Sequence, residues 1–482
     1  MKLFKITIFI FSIIAILTLI SAIFPENGIK VGSYTFQFPQ PEEILVRNKA
    51  SEFDPEKLIE ERKIKKIDSL QDELSDTLDY FIEAMVHPTS FYLPDNNYSY
   101  FDPFFKQAES AIIRNQIVRV LHYGDSQIEL DRISSDIRTY FQKEYGGSGP
   151  GLLPLFQSVP TATINQNYVG SYTTYGLYGD GQRNKTSDYG LMAKSFKING
   201  NGSFYAFSSS NSKSKNYKNI TLLFYNENLT KASLNLNKST ISFKKEINLP
   251  GMQMFNWQLD TAVNNFSLQI NGNPNIYGIL VDGKSGVAVD NIPMRGASGT
   301  MFTQMNPHIY KELVYGIHVG MIILQYGGNS VPGLYNEKSA DLYVSQLIKQ
   351  IQYLKKLFPD IPILFIGPSD MATRVKGVLT TYPILPYLVD KLKKEVPANG
   401  AAFWNMYEVM GGKNSMLGWV KKGWAGSDYV HFTTKGANEI GSILVQTFNT
   451  MQDFYELRKL HPDAPFVEVY QKQLKKHTQL PK

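Results

Sequence analysis

Ser126 stands in Gly124-Asp125-Ser126, just beyond the apolar run IVRVL of residues 117–121, where strand composition gives way to a helical pattern. An N-cap is the ordinary use of serine at such a junction. The alternative is a nucleophile, and that demands company: a base to take the hydroxyl proton, a group to orient the base, and donors for the oxyanion. Of the seven histidines, His461 and His477 sit in a charged tail, and His87, His308 and His318 have no distinctive neighbours. His122 reads as a satisfied structural histidine within the strand. His431 differs, because SDYVHFTTKGANEIG places Asp428 three residues before it and a helix after it. In a turn, that spacing lets the carboxylate accept from Nδ1 and leaves Nε2 free to face a serine. RGASGT, residues 295–300, can present the Gly299 N–H without side-chain obstruction. QYGGNS, residues 325–330, adds the amide of Asn329, and the Ser126 N–H at the start of a helix would be a third donor.

The elements needed to bring these groups together are visible as periodicity. IVRVL, GVAVDNI, VGMIILQYGGN, IPILFIG and AAFWNMYEV are strand-like, and helical patterns separate them. One such helix carries Val344, Leu347, Ile348, Ile351 and Leu354 on one face; another carries Ile133, Ile137, Tyr140 and Phe141 and stops at GGSGPG. Apolar strands alternating with amphipathic helices imply a parallel sheet covered on both sides, with ligands at the carboxyl ends of its strands. Ser126, Gly299 and Asn329 each fall at or beyond such an end. From about Tyr168 to Val281 the character changes to short β-branched and aromatic runs, from SFYAFSS to IYGILVD, between polar clusters. That pattern predicts an antiparallel β-sandwich inserted in the α/β region.

With these motifs in order, the chain resembles the SGNH, or GDSL-type, hydrolases. GDS matches their first block, RGASG the second, GGN the third and Asp-x-x-His the last, over about 118–156 and 285–450. The resemblance implies a flavodoxin-like three-layer α/β fold; no cofactor is expected, nor a metal, since no close histidine pair or carboxylate–histidine cluster has ligand spacing beyond Asp428 and His431. It implies Ser126 as nucleophile, His431 as general base and then acid, Asp428 as its orienter, and Ser126, Gly299 and Asn329 as oxyanion donors. It departs from the family at Gln127, where leucine is usual. That change, with Glu129, Asp131 and Arg132, makes the turn polar and suits a hydroxylated substrate better than a lipid. An insertion between the first two blocks is similar to exported members that remove or transfer acetyl groups on bacterial cell-wall glycans, whose insert resembles a carbohydrate-binding module. Tyr168, Tyr172, Tyr175 and Tyr178 are candidates to stack on sugar, although such tyrosines more often pack in a core.

The rest of the chain sets bounds. Its 482 residues exceed one ordinary core. A net charge of +6 with no basic run beside aromatics gives no reason to expect nucleic acid. The absence of cysteine excludes disulfides and thiolate chemistry. Lys2 and Lys5 precede an uncharged run from Ile6 to Phe24, about the length that crosses a bilayer core. We therefore expect an uncleaved anchor over 1–25 that holds the remainder on the extracytoplasmic, periplasmic side of the membrane, or else a cleaved signal peptide and a secreted protein. A charged helical spacer is expected over 26–100, hydrolase parts over 101–165 and 285–455, the insert over 166–284, and a basic tail over 456–482. Three functions follow: an esterase removing O-acyl, foremost O-acetyl, groups from a polysaccharide or peptidoglycan; an O-acetyltransferase with the same triad; and an inactive glycan-binding protein.

Overall fold

The computed structural model describes residues 71–479 except 88, 158, 160, 187, 210–213, 237–241 and 462–465; before these it describes 12–13, 15–20, 22–25, 28–32 and 34–36. The chain divides after Glu73 into two units. In the first, residues 15–20 are helical, and β1 (Ile29–Val31) pairs antiparallel with β2 (Tyr34–Phe36). Among the described residues no helix is long and apolar enough to cross a membrane. Residues 1–11 of the expected anchor and 37–70 of the expected spacer lie outside the described residues.

The second unit is built on a six-stranded sheet. Its spatial order is β14 (Gly286–Pro293), β4 (Ile117–Gly124), β15 (Val319–Gln325), β16 (Ile363–Ile366), β19 (Ala402–Trp404) and β3 (Phe91–Tyr92). The first five are parallel, and β3 closes the edge antiparallel to β19. Taken in chain order, the five parallel strands read 2-1-3-4-5, the flavodoxin-like order. Successive side chains of a strand point to opposite faces, and both faces here are apolar. Val118 and Val120 join Val289 and Ile323 beneath the helices Asp102–Ser110, Ser134–Tyr145 and Thr434–Leu460, while Leu121 and Tyr123 join Ile322 and Phe365 beneath Pro307–Gly316, Glu337–Leu357 and Leu385–Ala398. A small hairpin, β17 (Ala372–Val375) with β18 (Val378–Thr381), follows β16.

Nine strands of a second, antiparallel sheet separate β4 from β14 in the chain. They are β5 (Gly151–Leu153), β6 (Ile164–Gly176), β7 (Lys194–Ser208), β8 (Tyr217–Asn226), β9 (Thr230–Asn235), β10 (Ser242–Ile247), β11 (Gly251–Val263), β12 (Asn265–Gly272) and β13 (Asn275–Asp282). The two leaves expected of a sandwich are one continuous sheet here. Strand β7 is 15 residues long, so one end pairs with β13 and the other with β12. The sheet then curls until its ends meet, and Trp257 Nε1 of β11 donates to the Phe243 carbonyl of β10 at 3.0 Å. Phe204, Leu222, Leu268 and Ile279 are among the side chains enclosed.

Two boundaries differ from the sequence reading. Ser75–Val86, assigned to the spacer, packs on the body through Phe81 against Phe454 at 4.2 Å between ring centroids, and β3 completes the parallel sheet. The basic tail contains the helix Phe466–Gln479, whose Tyr470 sits 4.5 Å from Tyr98 and whose Gln473 donates to Asp79 at 2.8 Å. In the sequence the first reads as part of a charged spacer and the second as a basic tail, but their sparse aromatic residues supply the contact area.

Candidate active site

Strand register sets the site. Pro293, Gly124 and Gln325 are direct neighbours across β14, β4 and β15, so the turns carrying Gly299, Ser126 and Asn329 leave the sheet at one level. Gly299 has φ +79°, and a Cβ there would lie 2.7 Å from the Tyr326 ring. Only glycine fits that turn. Asn329 Nδ2 donates to the Ala297 carbonyl at 3.1 Å, which ties the third turn to the second.

The structure brings Ser126, His431 and Asp428 into one hydrogen-bonded chain. His431 Nδ1 lies 2.7 Å from Asp428 Oδ2, and Ser126 Oγ lies 2.8 Å from His431 Nε2. With the ring proton on Nδ1 facing the carboxylate, Nε2 accepts from the hydroxyl. The other Asp428 oxygen accepts from the backbone N–H groups of Val430 and His431, at 3.0 and 3.1 Å. Burial pushes the Asp428 carboxyl up, but the hydrogen bonds from the His431 side chain and these two amides hold it below its usual range. Asp125 caps the turn that carries Ser126 by accepting from Gln127 N at 3.0 Å. Burial pushes its carboxyl up to about 6.

The segment after Ser126 is not the helix start that the sequence implies. It is a short 3-10 stretch, Ser126–Asp131, interrupted at Glu129 and Leu130, and the α-helix begins only at Ser134. Leu130, Asp131 and Ile133 all have φ near +62°, at 62°, 63° and 62°. The Ser126 N–H therefore lacks the field of a long helix behind it. Nor is the polarity of the turn turned to substrate as expected, because its groups are buried and engaged internally. Asp131 accepts two hydrogen bonds from Arg138 and one from Thr163. Glu129 forms a bidentate pair with Arg295, at 2.6 and 2.7 Å. Arg132 donates to the carbonyls of Ser126 and Phe432, at 2.8 and 2.5 Å.

Gln127 has a role that its mismatch with leucine concealed. Its Nε2 donates to the Val430 carbonyl at 2.7 Å, and its Oε1 accepts from Phe432 N at 3.3 Å. One side chain thus grips the peptide groups on both sides of His431. Gln127→Leu leaves those peptide groups without this partner and lets the imidazole drift. We expect kcat to fall about 10- to 100-fold, the cost of roughly ångström misplacement, with KM little changed; steady-state kinetics on a glycan ester measures both. His122 behaves as the sequence indicates: fully buried, it meets Gln325 Oε1 at 3.1 Å and Ser134 Oγ at 2.8 Å, and burial pulls its pKa to about 3.

No family model and no curated protein matches the chain. Among solved structures, a peptidoglycan O-acetylesterase aligns over 77% of this chain and 99% of that one, at 19% identity and a TM-score of 0.60. The fold is that of the SGNH-type hydrolases. Two further matches are a carbohydrate esterase family 2 enzyme with a carbohydrate-binding domain from Corynascus thermopiles and an acetyl xylan esterase from Butyrivibrio proteoclasticus. The first is 10% identical over 59% of this chain and 100% of that one, with a TM-score of 0.26. The second is 10% identical over 60% and 99%, with a TM-score of 0.23. In this SGNH-type fold the long excursion between β4 and β14 leaves the carboxyl edge of the parallel sheet intact, since β14 returns beside β4 in full register.

Proposed function

We propose that the protein is a serine esterase that removes O-acetyl groups from a bacterial cell-wall or exported glycan. The observation that carries this is the Ser126–His431–Asp428 chain, closed at 2.8 and 2.7 Å. Ser126 Oγ attacks the ester carbonyl carbon while His431 Nε2 takes its proton. The oxyanion is met by the N–H groups of Ser126 and Gly299 and by the Asn329 amide. Collapse expels the sugar oxygen, which receives the proton from His431, and the acyl group stays on Ser126. Water, deprotonated by His431, attacks the acyl-enzyme; acetate leaves and the Ser126 hydroxyl regains its proton. Asp428 holds the ring orientation throughout and stabilises the imidazolium.

Hydrolysis is favoured over transfer by the openness of the site. The side chains of His431 and Asp428 are 42% and 51% exposed, and a transferase must keep water from its acyl-enzyme. The peptidoglycan O-acetylesterase likeness supports an acetylated glycan as the substrate. The lysines before the uncharged run of residues 6–24 support an extracytoplasmic enzyme held at the membrane. Brief exposure to an activated acetyl ester, followed by intact-protein mass spectrometry, is expected to show one acetyl adduct that maps to Ser126. Folded protein that stays unlabelled at Ser126 would return weight to a glycan-binding role.

A further inference from the structure

A cavity of about 300 Å³ lies between the carboxyl end of β14, the segment after β5 and strands β6 and β7. That is the lower end of small-molecule sites, which run from about 300 to 1,000 Å³. It shares a wall with the nucleophile turn, since Glu129, three residues beyond Ser126, and Arg295, four before Gly299, both line it. Two of its charged pairs are closed: Glu129 with Arg295, and Asp131 with Arg138. Lys194 is different. Its ammonium lies 4.1 Å from the centroid of the Tyr178 ring, and among the described residues no carboxylate is within ion-pair distance of it. Burial pulls its pKa down, while the charge of Asp180 acts in the other direction. Phe156, 42% exposed, and Tyr178 add apolar surface beside this cation.

We propose that this cavity is a subsite for a carboxylate-bearing sugar unit of the glycan, with the carboxylate paired to Lys194 and the ring against Phe156 and Tyr178. The proposal rests on the esterase reading for its substrate and adds which sugar chemistry is held beside the triad. An ammonium held over an aromatic face and partly withdrawn from solvent binds an anion through a charge-assisted hydrogen bond. The aromatic and aliphatic walls suit the carbon-bound faces of a pyranose. Two sources share this chemistry: hexuronic acids, and amino sugars carrying a lactyl ether.

The test uses the full chain with Ser126→Ala, so that binding is read without turnover. Ligand-observed NMR titrations at low salt would compare D-glucuronate with D-glucose, and N-acetylmuramate with N-acetylglucosamine. We expect the acidic member of at least one pair to bind about tenfold more tightly than its neutral partner, as one charge-assisted contact allows. The preferred pair identifies the source. The preference is expected to shrink with added salt and to vanish in Lys194→Met. Equal binding of acidic and neutral sugars, binding of none, or a preference that survives Lys194→Met would each overturn the proposal. Should Lys194→Met fail to fold, the acidic preference and its salt dependence in the Ser126→Ala chain decide alone. Failure here leaves acetylation of Ser126 untouched, and failure of that labelling leaves these titrations readable.

Discussion

Ser126→Ala is expected to lower kcat for acyl-ester hydrolysis by about 10⁴- to 10⁶-fold, with the protein folded and its thermal transition near that of the parent. In the proposed mechanism the hydroxyl is the atom that forms the acyl-enzyme, and among the described residues no other hydroxyl is hydrogen-bonded to His431 Nε2. His431→Ala is expected to cost a similar factor, and the double replacement little more, because hydroxyl and imidazole act in one step. Independent contributions would instead multiply, and a double variant much slower than either single one would exclude the shared step. The hydrogen bonds that hold Asp428 below its usual range keep it ionised, and so able to orient the ring, as pH falls towards the ordinary carboxylate range. A proton taken up by Asp428 well above that range, followed by its carboxyl NMR shift, would place it outside the chain the geometry shows.

The residues of this hydrogen-bonded chain are legible in the sequence because each has a local signature. Ser126 ends an apolar strand, Gly299 lies in a glycine turn, and Asp428 precedes His431 by three. Parallel-sheet register does the rest, since adjacent strands of matched length deliver their end turns to one edge. The supporting contacts were not legible. Gln127 and residues 430–432 are about three hundred positions apart, and nothing in either segment names the other as a partner. Polar residues after Ser126 therefore looked available to substrate, whereas burial requires each to find an internal partner. The helix expected at Ser126 failed for a related reason. Glu129 points to Arg295 and Asp131 to Arg138, and the left-handed residues at Leu130 and Asp131 that break the helix lie between these contacts. Length and charge hid the packing of Ser75–Val86 and Phe466–Gln479, because a few aromatic side chains, not a continuous apolar face, dock them.

Arg119→Leu is expected to destabilise the second unit by about 3–5 kcal/mol, the usual cost of removing one partner from a buried ionic group. Within the apolar run IVRVL its guanidinium is 1% exposed and lies between two buried carboxylates. Asp290 of β14 accepts at 2.7 and 2.9 Å, and Asp282 at the end of β13 accepts at 2.8 and 3.3 Å. Asp290 also accepts from Leu152 N of β5 at 2.8 Å. One side chain therefore joins the strand leading to Ser126, the strand leading to Gly299 and the inserted sheet. Burial already pushes the Asp282 carboxyl up, and Arg119 acts against that push. With the guanidinium gone, the Asp282 carboxyl favours the protonated form in the fold more than in the unfolded chain. The folded variant then binds more protons, so its deficit is largest at neutral pH and narrows as pH falls towards the ordinary carboxylate range. Urea unfolding of parent and variant at pH 7.5 and 5.5 measures both effects. Replacing both aspartates by asparagine in the Arg119→Leu chain is expected to restore part of the loss at pH 7.5, because it removes the unpaired charges. A variant whose urea midpoint equals that of the parent at pH 7.5 would show that the three strands are held together without this buried cation.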